Sequence, residues 1–89
     1  MPHMLAKLRG VRAEDIKGVL KSDASVHAGQ GLYLEHLWQN VDDGDEVLFL
    51  FRTTNIDRAK QFIQKVHAQA LQENPGAHLP HMTFLDEVK

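Results

Sequence analysis

The sequence predicts an α+β domain whose elements run strand, helix, strand, strand, helix, strand. Three observations predict it. An acidic, glycine-containing turn, Asp42-Asp43-Gly44-Asp45, separates two stretches rich in aromatic and branched side chains. A long apolar stripe at helical spacing follows the second stretch, and two shorter alternating segments lie at the ends.

Taken in order, Met4 to Val11 alternate between Met4, Ala6, Leu8 and the mixed set Leu5, Lys7, Arg9, a period of two that suits a strand. Ile16, Val19, Leu20 and Asp23 then fall at helical spacing, with Glu14 and Asp15 at the end where the helix dipole favours acids, so a helix is expected from Ala13 to Asp23. Ser25 to Gly31 contain two glycines and read as the turn out of that helix. Leu32 to Asn40 and Glu46 to Thr54 form a β-hairpin about the acidic turn. Thr54 is placed to cap the second helix, with Asp57 three residues on, and Ile56, Ala59, Phe62, Ile63, Val66 and Ala70 form its apolar stripe. Asn74-Pro75-Gly76 stops it, and His81 to Val88 supply a fourth strand. This order is the split βαβ pattern of ferredoxin-like domains: one domain over residues 1–89, an antiparallel sheet with its first and third strands central, and two helices on one face.

Composition narrows the function classes. A formal charge of −2, with the basic residues scattered, lacks the footprint of a nucleic-acid binder. With no cysteine, disulfides, thiolate nucleophiles and the stronger zinc patterns are excluded. The longest apolar run, Val47 to Phe51, is far below the ~20 residues of a membrane helix, and the N-terminus lacks the apolar stretch of a signal peptide. No nucleic-acid or membrane partner is expected, and a cytoplasmic location is the default. Gly29-Gln30-Gly31 does not open a helix after a strand and is no phosphate loop. Ser22 and Ser25 lie in a polar segment without a nucleophile elbow, which argues against a covalent hydrolase.

In the strand Glu46 to Arg52 both alternate sets are apolar, Val47, Phe49 and Phe51 on one side and Leu48 and Leu50 on the other. A sheet solvated on one face should alternate apolar with polar. Two helices cover one face, so the second is expected to meet an identical subunit. The alternative is a monomer with one exposed apolar strip.

The run from Gly31 through Leu32-Tyr33-Leu34-Glu35-His36-Leu37-Trp38, the acidic turn and Val47 to Arg52, followed by the helix with Ala59 and Phe62, resembles the dimeric α/β-barrel superfamily, which includes antibiotic-biosynthesis monooxygenase-like proteins. The resemblance implies a pair of ferredoxin-like subunits with their sheets back to back, and any small-molecule pocket lying between helices and sheet. It carries no fixed catalytic motif.

If Val41 pairs with Glu46, Glu35 faces Arg52 as a cross-strand ion pair, and His36 and Trp38 align with Phe51 and Phe49 and point toward the helices. His36 is then a general-base or ligand-binding candidate beside Trp38; the competing reading makes Trp38 core and His36 a hydrogen-bonded edge residue. His67, at the border of the apolar stripe one turn after Ile63, reaches the same cleft or turns to solvent. His78 and His81 form an H-x-x-H pair, but a metal site needs further ligands that this spacing does not supply, and no metal or cofactor is expected. Three functions stay open: a homodimeric ligand-binding or structural module holding a small apolar ligand or none, a cofactor-independent monooxygenase-like or isomerase-like enzyme acting on a small aromatic or apolar substrate, and an electrostatic or protein-interaction partner that presents the acidic turn at Asp42, Asp43 and Asp45.

Overall fold

A computed structural model describes residues 2–88. Strand β1 (His3–Arg9) leads to α1 (Ala13–Ser22) and a short α2 (Ala24–Gly29). The hairpin β2 (Leu32–Gln39) and β3 (Glu46–Thr53) follows, then α3 (Ile56–Glu73) and β4 (His81–Leu85). The four strands form one antiparallel sheet in the order β2-β3-β1-β4, with β1 and β3 central as the chain order predicts.

Local chemistry sets the boundaries. Gly10 ends β1 two residues earlier than expected, at a positive φ of 78° that a side chain would resist, and its N–H donates to the Asp45 carbonyl. In the hairpin turn, the Asn40 and Asp43 side chains accept the backbone N–H groups of Asp42 and Asp45 at 2.9 and 3.1 Å. Asn55, not Thr54, caps α3: its Oδ1 accepts from the Arg58 N–H at 3.1 Å, because the Thr53 side chain turns the chain one residue further before the helix begins. β4 stops at Leu85, short of the expected Val88. The expected turn at Ser25 to Gly31 is mostly α2, since Ile16, Leu20, Ala24 and His27 continue one another at helical spacing.

The core lies between the sheet and the helices. Met4, Ala6 and Leu8 of β1, Val47, Phe49 and Phe51 of β3, with Leu20, Leu32 and Ala59, are its buried apolar members. Fully burying a side chain of Leu or Phe size contributes about 1.5–3 kcal/mol, so the β1–β3 ribbon anchors the fold. No helix covers the opposite face. There Leu5, Leu48 and Leu50 are half-buried, and Trp38 is 46% exposed. At one end of that face the buried Glu46 carboxylate takes a hydrogen bond from Asn40 at 3.0 Å and faces Arg9 at 3.4 Å and Lys7 at 3.6 Å.

The hairpin register differs from the one assumed. Gln39 pairs with Val47, Trp38 with Leu48, Leu37 with Phe49 and His36 with Leu50. A bulge then inserts Glu35, so that Leu34 pairs with Phe51 and Tyr33 with Arg52. One inserted residue exchanges the faces of everything beyond it. Leu32 therefore enters the core, whereas His36 and Trp38 share the uncovered face with Leu48 and Leu50. In place of the Glu35–Arg52 pairing, Arg52 lies over the Tyr33 ring at 4.9 Å, and Glu35 reaches His3 of β1 at 2.7 Å.

Candidate functional site

The helices leave a cleft over the sheet. It encloses about 400 Å³ between β1, β3 and β4 below and the three helices around it, within the usual size of small-molecule pockets. Its floor is Met4, Leu8, Phe49 and Phe51, and Phe62 and Ile63 of α3 form part of the wall. Only Asp23, His27 and His67 among its lining residues carry ionisable groups.

The two histidines come from different helices. His67 extends from α3 into the cleft, where the spacing after Ile63 places it, and burial lowers its pKa from the ordinary 6.5. His27 sits on α2 with its ring edge-on to Phe51 and Phe62, at centroid separations of 5.2 and 6.3 Å. Burial lowers its pKa also, and the nearby Asp23 carboxylate offsets part of that effect. Both shifts favour the neutral ring, which offers one acceptor and one N–H donor within apolar walls.

Of the three residues proposed from the sequence for a helix-side pocket, only His67 lies in this cleft. The turn register carries His36 and Trp38 to the opposite face, where their rings stack at 4.8 Å and 15°. Sequence reasoning missed His27 because its segment reads as a glycine-rich turn. The signal available was its place on the Ile16–Leu20–Ala24 stripe.

Other hollows suit a ligand less well. A wider, shallow depression of about 800 Å³ at the start of α1 is bordered by Glu14, Asp15 and Asp45 and has no apolar floor comparable to the phenylalanines of the cleft. His78 packs beside Gly10, and His81 stands opposite Lys7 on β1, so the H-x-x-H pair is divided between a loop and a strand. Among the described residues no group of three or more His, Asp or Glu is arranged to hold a metal ion. No helix among them is long and apolar enough to cross a membrane.

The fold has solved counterparts. A Deinococcus radiodurans protein described as a candidate antibiotic biosynthesis monooxygenase superposes with a TM-score of 0.63 over 100% of this chain and 94% of its own, at 12% identity. An uncharacterized NIPSNAP domain protein from Burkholderia xenovorans superposes with a TM-score of 0.60 over 99% of this chain and 95% of its own, at 13% identity. No family model and no curated protein matches the sequence. The chain has the ferredoxin-like α+β fold.

Proposed function

We propose that this chain is a homodimeric binding domain that takes a small, mainly apolar molecule into the cleft between sheet and helices. The observation that carries the reading is the cleft itself, with an aromatic floor and two histidines, whose burial favours the neutral ring, as its hydrogen-bonding groups. Apolar walls provide most of the affinity, and a few placed polar groups orient the ligand. The uncovered face with Leu5, Leu48, Leu50 and Trp38 supports pairing of two subunits, sheet against sheet. On this reading, His36 and Trp38 belong to the subunit contact, and His67 and His27 to the ligand.

The test is saturable binding of a neutral fluorescent probe, N-phenyl-1-naphthylamine. One probe per chain is expected, and Ala70→Phe, which fills the cleft from α3, should abolish binding. A wild-type chain that shows no saturable binding overturns the proposal.

The two cleft histidines favour a second reading, cofactor-independent oxygenation of a phenol. A neutral imidazole would accept the phenolic proton, the electron-rich ring would pass an electron to dioxygen and form a ring C–O bond as a hydroperoxide, and cleavage of its O–O bond with return of the proton would release water and leave the quinone. Oxygen uptake with 1-naphthol that disappears in both His27→Ala and His67→Ala would select this reading over simple binding.

A further inference from the structure

A second hollow, of about 430 Å³, adjoins the cleft between α1 and the outer strand β2. The two spaces share Leu20, His27 and Phe51 as lining residues, so they adjoin at these side chains. Their chemistry differs. The inner cleft is apolar, whereas the outer hollow is lined by Lys17 and Lys21 together with Tyr33 and Leu34.

Lys17 and Lys21 stand four residues apart on α1 and therefore on one side of the helix. Like charges at this spacing destabilise a helix, and an anion placed between them relieves the repulsion. Both side chains are exposed, and among the described residues neither forms an ion pair. The carboxylate near the junction, Asp23, lines the inner cleft and is absent from the lining of the outer hollow.

We infer that the ligand is an amphipathic organic acid, with its apolar body in the inner cleft and its carboxylate held in the outer hollow by Lys17 and Lys21. This rests on the binding reading above and specifies the ligand's chemical class. The pairing is solvent-exposed, so each lysine contributes modestly and salt weakens the effect.

The experiment compares 1-naphthylacetate with its uncharged methyl ester by titration calorimetry at pH 7.5. The acid should bind more tightly than the ester. Lys17→Gln/Lys21→Gln should weaken the acid about fivefold and leave the ester within about twofold, while Lys65→Gln on α3, outside both hollows, should change neither. Raising salt should weaken the acid alone. Equal affinity of acid and ester in the wild type, or equal weakening of the acid by Lys65→Gln, overturns the assignment of the carboxylate while leaving the cleft reading intact. Binding of neither compound overturns both.

Discussion

Replacing Leu50 by alanine tests the subunit pairing at its centre. Leu50 lies on β3 between Leu5 of β1 and His36 of β2, on the face without helices, and is half-buried in the isolated subunit. Only the half still exposed in the isolated subunit is buried on pairing, so removing the side chain costs association about 1–1.5 kcal/mol per site. A two-fold contact contains the residue twice, so about 2–3 kcal/mol is lost per dimer, and the dissociation constant should rise about 30- to 150-fold. A stable contact covers about 800 Å² on each partner, a modest share of the 6175 Å² accessible surface of this chain. Leu50→Asp should dissociate the dimer more completely, since an unpaired charge would otherwise be buried. Because the side chain is outside the helix-side core, both variants should keep the far-ultraviolet circular dichroism of the wild type. Sedimentation equilibrium at micromolar concentration is the assay, with twice 10.1 kDa expected for the wild type and a shift toward 10.1 kDa for the variants. A wild-type chain that sediments as a monomer at 100-fold higher concentration, or a Leu50→Asp chain that stays dimeric, would refute the reasoning.

Three further outcomes follow from the packing and the titrating groups. Phe49→Ala, in the core beside Phe51, should lower the unfolding free energy by about 3–5 kcal/mol in urea titrations, whereas the half-buried Phe62 should cost less on the same change. Gly31→Ala should destabilise by about 1–2 kcal/mol or more, since Gly31 has a φ of 72° and a side chain there would run into Thr54; thermal melts of Gly31→Ala and a Gly31→Ala/Thr54→Gly pair would show partial rescue if the contact is the cause. Burial lowers the pKa of both His27 and His67, so the unfolded chain takes up their protons first as the pH falls. Stability from this source is therefore complete above about pH 6.5 and is lost as the pH drops below it. His27→Gln and His67→Gln should each flatten that decline, and an unchanged slope in both would show that neither ring is buried unprotonated.

The sequence by itself determined the order of the four strands and of α1 and α3, the central place of β1 and β3, and the inward face of β3, because these depend on periodicity along the chain, whereas α2 reads as a turn. Val47, Phe49 and Phe51 alternate with Leu48 and Leu50 whatever their neighbours do, and that alternation puts the first set on the core face and the second on the opposite one. His67 was legible too, since its distance from Ile63 fixes its position around α3. Tertiary structure decided the rest. The faces of His36 and Trp38 depend on the turn register and that of Leu32 on the bulge at Glu35, and a strand of mixed apolar and polar residues such as β2 specifies neither. His27 joins the cleft because α2 folds against Phe51 and Phe62, which are far along the chain and invisible to local spacing. The meeting of the cleft with the Lys17–Lys21 hollow has the same origin: it requires α1, α2 and β3 to bring Leu20, His27 and Phe51 together, and convergence is a property of packing, not of any single segment.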